Sequence, residues 1–152
     1  MTAGTGVRHS EYNEDETSPL RFIQMWMVPR AQSLTPRYGS MPGDKARQHN
    51  QWAHLVADAK DEAADTPVKI NQDGNIFVAE LDPGMELSYS LKPDRQAYIL
   101  CLEGSLHLSS SRTSEALVMH DACKALGVSP LTVKAGDQGV HVLMVEMQLA
   151  AQ

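Results

Sequence analysis

Between Pro67 and Leu149 the chain never runs far without turn chemistry. Asp73-Gly74-Asn75, Asp82-Pro83-Gly84, Lys92-Pro93-Asp94, Glu103-Gly104, Ser109-Ser110-Ser111 and the segment from Ala135 to Gly139 punctuate it. The apolar runs left between them are too short for ordinary helices but suit strands of roughly four to eight residues. This spacing predicts an all-β domain, an antiparallel sandwich or barrel. Val68–Ile70 and Ile76–Leu81, flanking the Asp73-Gly74-Asn75 turn, read as a hairpin. Further strands are expected at 86–91, 97–102, 105–108, 116–119, 131–133 and 140–149, with Ala135–Gly139 as a turn. Residues 122–126 fit a strand or one helical turn.

The first third of the chain reads differently. Residues 1–19 are polar, with acids at Glu14, Asp15 and Glu16, and form an arm with little to bury. Leu20 to Val28 is apolar and strand-like, and Pro29 closes it. Residues 29–50 carry Pro29, Pro36, Pro42 and two glycines and read as a long surface connection. Residues 52–57 suggest a short strand, and Asp58–Asp65 a solvated loop or single helical turn.

Composition excludes several classes of function. A net charge of −6 argues against binding to a phosphate backbone, so no direct nucleic-acid contact is expected. No segment approaches the roughly 18 apolar residues of a membrane span, and the start shows no secretory leader. Cys101 and Cys123 form no CxxC and no disulfide framework, which fits a reducing, cytoplasmic setting.

The spacing of two glycines is more specific. Gly84 is followed by five residues, then Ser90, Leu91 and Lys92; Ala97 stands after four more residues and Gly104 after a further six. That frame is similar to the first motif of the cupin family, in which the three intervening positions hold His, His and Glu as metal ligands. An ammonium repels a divalent cation and alanine offers no lone pair. A cupin barrel here is therefore expected to hold no metal on Ser90, Lys92 and Ala97.

A second signal lies in the arm. Gly4-Thr5-Gly6, His9 and Asn13 follow the end of the second cupin motif, with Gly4 in place of its proline. The run Met1-Thr2-Ala3-Gly4-Thr5-Gly6-Val7-Arg8-His9-Ser10-Glu11 resembles the signature of the pirin family. Leu20–Pro29, with Gln24-Met25-Trp26, is similar to the strand that enters the second pirin cupin, and Leu34–Tyr38 to a bacterial pirin-like segment. Pirins are double cupins, so the resemblance implies a single all-β cupin barrel, a double-stranded β-helix or jelly roll, over residues 20–149. Residues 1–19 would then be the remnant arm of an N-terminal cupin, and the chain is expected to begin inside a barrel whose other strands are absent.

The resemblance also implies chemistry. Pirins bind iron or a similar divalent metal in the N-terminal cupin, and some cleave quercetin with dioxygen while others act as redox-sensing co-regulators. His9 and Glu11 match two of the four metal ligands. They lie two residues apart, and on a strand they would share a face. Two donors on a flexible arm bind weakly, because ordering the arm costs roughly 1–2 kcal/mol per residue. The expected reading is a pirin-like cupin with an incomplete metal site, inactive alone. Its partners would be a second copy or a missing N-terminal cupin, and its substrate, if any, a small aromatic molecule. Its location would be cytoplasmic, or nuclear as in some of the family. The alternatives are a non-catalytic cupin for protein association and a small-molecule binder that uses the barrel mouth.

Other candidates read as structural. His49 and His54 flank Trp52 at a spacing unsuited to a zinc helix and suggest surface or loop histidines. His107 between Leu106 and Leu108 should face solvent, and His120-Asp121 looks like a turn. His141 and Glu146 should point to opposite faces of one strand. Cys101 alternates with Ile99 as a buried hydrophobe. No Gly-x-Ser-x-Gly elbow accompanies the serines.

Overall fold

The computed structural model describes residues 1–149. Its elements are α1 (Lys45–Gln48), β1 (Ala53–Asp58), β2 (Val68–Ile70), β3 (Gly74–Leu81), β4 (Glu86–Tyr89), β5 (Arg95–Ser109), β6 (Ser114–Val118), β7 (Ala122–Leu126) and β8 (Leu131–Gln148). The all-β expectation holds, and residues 122–126 form a strand. Among the described residues the one helix has four residues and is capped by the Asp44 carboxylate, which accepts from the amides of Ala46 and Arg47.

Two long strands organise everything else. The first half of β5 pairs with β7 on one side and with Val142–Gln148 of β8 on the other. Its second half pairs with β6 and with Thr132–Ala135 of β8. The upper part of β8 pairs with β3, which in turn pairs with β1, while its lower part pairs with β4. The result is two layers, β2-β1-β3-β8-β5-β7 and β4-β8-β5-β6, joined because β5 and β8 run through both.

The corner is made by glycine. The register shifts between Cys101 and Glu103 and again between Gly104 and Leu106, as a bulged strand does. Gly104 has φ +75°, and a Cβ there would lie 2.1 Å from the Gly139 carbonyl oxygen. Sequence reading placed turns at Glu103-Gly104 and Ala135–Gly139. Both are instead bends inside continuous strands, because glycine lets the two backbones approach where an ordinary turn would have ended the pairing.

Two further expectations are corrected. Val68–Ile70 makes no hairpin with β3, since β1 and β8 already occupy both edges of β3; β2 adds in parallel to the outer edge of β1. Leu20–Val28 forms no strand. Met27 packs against the outer-face cluster of Ile76, Val78, Leu143 and Val145. The segment therefore lies over a sheet face, where no ladder partner exists.

Alternation along the strands divides the apolar side chains. Ala79, Ile99, Cys101, Leu106, Val133, Val142 and Met144 fill the space between the layers. Ile76, Val78, Leu143 and Val145 face outward on the larger layer. His107 is exposed between buried Leu106 and Leu108, as the alternation predicts.

Candidate functional site

The arm starts by folding back onto the chain. The Thr2 amide donates to the Arg37 carbonyl at 2.7 Å, the Arg37 amide returns the bond at 3.0 Å, and the Thr5 amide donates to Leu34 at 3.0 Å. Asn71, beside β2, donates to the Thr2 hydroxyl at 3.2 Å. Gly4 sits at φ +54° with the Leu34 carbonyl where a Cβ would be, so this approach needs glycine. Farther along, His9 Nε2 lies 3.7 Å from Glu11 Oε1, and both side chains are about half exposed, at 45% and 49%. The two candidate ligands are neighbours, although on irregular chain rather than a strand. Among the described residues no group of three or more His, Cys, Asp or Glu is placed to hold a metal ion.

The cupin frame falls into place on β3 to β5. Gly84, φ +73°, shapes the turn that leads into β4, and Gly104 is the corner. Ser90 and Lys92 are exposed just beyond β4, while Ala97 is fully buried on β5. A hydroxyl, an ammonium and a methyl do not make a donor set for a divalent metal. His9 and Glu11 supply two donors where a non-haem metal takes more.

The chain does build a buried polar network at one end of the barrel. Arg95, opening β5, grips Glu146 near the end of β8: Nε to Oε1 at 2.5 Å and Nη2 to Oε2 at 2.9 Å. Its Nη1 donates to both oxygens of Asp73, at 2.7 and 2.6 Å. Asn75 Nδ2 donates to Glu146 Oε2 at 2.7 Å, and Asn75 Oδ1 lies 2.9 Å from His54 Nε2. Glu146 is 5% exposed. Burial of this carboxyl is offset because both of its oxygens have donors, three hydrogen bonds in all. The Glu146 hydrogen bond, against the cost of burial, raises the Arg95 guanidinium still further above its ordinary value.

Aromatic rings close the space beside this network. Phe77 stacks on His54 at 4.3 Å and meets Tyr89 edge-on at 5.2 Å, while Trp52 sits 6.4 Å from Tyr89. Burial first, and the Glu146 charge second, push the Tyr89 phenol up to about 12. His54 is thus a half-buried strand residue rather than a surface or loop histidine, because β1 turns it inward onto Phe77. His49 is exposed and lies 2.9 Å from Asp82, as a loop histidine should. Sequence reading missed the network. The available signal was Glu146 itself, a single acid inside the apolar run Val142–Met147, where a charge calls for a buried partner.

A larger concavity lies outside the barrel. A groove of about 820 Å³ runs between the 23–28 segment and the outer face of the larger layer, floored by Tyr98, Leu100, Leu143, Val145 and Met147. A smaller cavity, about 120 Å³, opens near Cys123 and Lys124. Cys101 is buried in the core, and burial raises its thiol further than the nearby Asp121 does.

Two layers sharing two long bent strands, with the glycine frame at the corner, define a cupin. Comparison with known proteins narrows this. The family described as the quercetinase C-terminal cupin domain matches residues 55–147. A pirin-like protein of Caulobacter vibrioides is 32% identical over 113 residues, 74% of this chain and 47% of its own length. The quercetin 2,3-dioxygenase of Escherichia coli K12 is 30% identical over 123 residues, 80% of this chain and 51% of its own length. This chain belongs to the pirin and quercetinase family and carries its C-terminal cupin domain. Among solved structures, YhhW of Escherichia coli superposes with a TM-score of 0.68 at 15% identity, over 84% of this chain and 50% of that one. The same bacterial pirin is also solved in complex with nickel(II), with a TM-score of 0.65 at 15% identity over 80% of this chain and 48% of that one. The chain spans about half the length of the curated relatives it matches. No helix among the described residues is long and apolar enough to cross a membrane.

Proposed function

We propose that this chain serves as a non-catalytic cupin of the pirin and quercetinase family, acting in the cytoplasm. In this reading residues 20–149 work as one C-terminal-type domain and residues 1–19 as an arm from a neighbouring cupin. The observation that carries the reading is the fate of the cupin ligand positions: Ser90 and Lys92 face solvent and Ala97 is sealed in the core. The inner end of the barrel is filled by the Arg95–Glu146 pair and the rings of Trp52, Phe77 and Tyr89, which supports packing rather than chemistry there. His9 and Glu11 are proposed as two ligands of a divalent metal, iron or nickel, whose remaining donors come from another segment or chain. Such a metal would supply the Lewis-acid or redox chemistry of the quercetinase relatives. The small aromatic substrate those relatives suggest would accordingly need the completed site.

Metal analysis of the purified 152-residue chain, with oxygen uptake on quercetin, tests this. The expected result is substoichiometric iron and nickel after dialysis and no uptake above background. One tightly held metal per chain, or flavonol cleavage by the chain alone, overturns it. His9→Ala is expected to lower whatever residual metal is bound.

A second reading, association with another chain, is favoured by one observation: Phe22, Trp26 and Val28 are exposed at 63%, 89% and 81%.

A further inference from the structure

The apolar segment Leu20–Val28 is half a sheet. Leu20, Phe22, Trp26 and Val28 are its most exposed apolar side chains, Ile23 and Met25 are exposed by less, and Met27 alone packs onto the barrel. Along an extended segment every second side chain points the same way. Yet among the described residues its amides and carbonyls make no backbone pairing, and its one bond is from the Gln72 side chain to the Val28 carbonyl. Unpaired backbone beside exposed apolar side chains is a template for another strand.

The order of side chains says which strand fits. Read outward from Gln24, the solvent face runs amide, then an aromatic on each side (Phe22, Trp26), then an aliphatic on each side (Leu20, Val28). The pattern reads the same in both directions. Antiparallel pairing with a copy of itself, two-fold axis at Gln24, sets Phe22 opposite Trp26 twice and Leu20 opposite Val28 twice. Aromatic cross-strand pairs are among the favourable ones, and a two-fold interface requires such self-complementarity. Such pairing sets two aromatic and two aliphatic side chains of each chain flank to flank with those of the other.

We propose that the chain dimerises through antiparallel pairing of Leu20–Val28 with the same segment of a second copy, in register about Gln24. This deepens the association reading by naming its surface, and it is independent of metal content.

Sedimentation of the full chain, with cysteine cross-linking in a Cys123→Ser background, tests it. The expected results are a dimer, disulfide formation by Gln24→Cys and none by Val28→Cys, since only the central residue meets its own copy. Phe22→Ser with Trp26→Ser should raise the dimer dissociation constant about 30-fold or more, as loss of aromatic anchors does. A monomer at all concentrations overturns self-pairing and leaves the strand to a different protein. A dimer that Gln24→Cys fails to cross-link, or that survives the double substitution unchanged, overturns this interface. None of these outcomes bears on the metal and oxygen measurements, so the two proposals fail separately.

Discussion

Residues 1–52 and residues 53–148 are built on opposite terms. The barrel satisfies itself: its strands pair on both sides along β3, β5 and β8, and its apolar side chains are shared between an inner core and an outer face. In the first fifty-two residues Thr2 alone is buried. That region is tied to the barrel by scattered polar contacts, among them Asn50 with Asp82, Arg30 with Asp58 and Arg21 with Glu103. Folding free energy is expected to reside in the barrel, while the N-terminal third leaves Leu20, Phe22, Trp26 and Val28 exposed.

The comparison is sharpened most by Arg95→Leu. Removing the guanidinium strands Glu146 without its main partner in a buried site, and breaking such a pair costs about 3–5 kcal/mol. A fall of that size in unfolding free energy by urea titration is the expected outcome, and a loss near zero would mean that the network is only decorative. Gly104→Ala comes next. A left-handed backbone at a non-glycine residue and a Cβ forced against the Gly139 carbonyl cost about 2–4 kcal/mol together, again visible in the urea midpoint.

Changes in the N-terminal third should do far less. Burial pushes the Asp58 carboxyl up, but the Arg30 hydrogen bond, the Lys60 amide and the nearby cations pull it further, and it lies below the ordinary 3.8. A carboxyl depressed by folding stabilises the fold above its unfolded value and loses that contribution as pH falls through its folded value. Arg30→Ala is expected to cost about 1 kcal/mol or less at pH 7. Urea midpoints of the variant and the wild type should converge below pH 3.8, and a gap that persists in acid would place the Arg30 contribution elsewhere. Smallest of all, Trp26→Ser should change monomer unfolding by about 0.5 kcal/mol or less. A large loss there, read at concentrations too low for association, would erase the contrast between the two regions.

The same contrast explains what could be read from sequence. Barrel residues advertise their roles locally: Leu106-His107-Leu108 alternates, and Gly84 and Gly104 keep the cupin frame. What escaped depends on residues far apart in the chain. Arg95 sits in a turn-like stretch and gives no sign that Glu146, fifty-one positions on, will close over it. The parallel place of Val68–Ile70 follows from which edges of β3 are already taken, which no local pattern encodes. Leu20–Val28 has the composition of a strand, but whether a strand forms depends on a neighbour that composition does not name. Of the candidate site, the adjacency of His9 and Glu11 was legible, and the inward turn of His54 was not.

The shared strands give the barrel one more property. A sandwich whose layers are linked only by loops can open like a book. Here the spine is continuous main chain that belongs to both covers, so neither can lift away while β5 and β8 stay straightened through the other. Amide protons on Tyr98 and Leu143 in one layer and on Leu108 and Val133 in the other are expected to exchange with solvent at matched rates, in a single opening event.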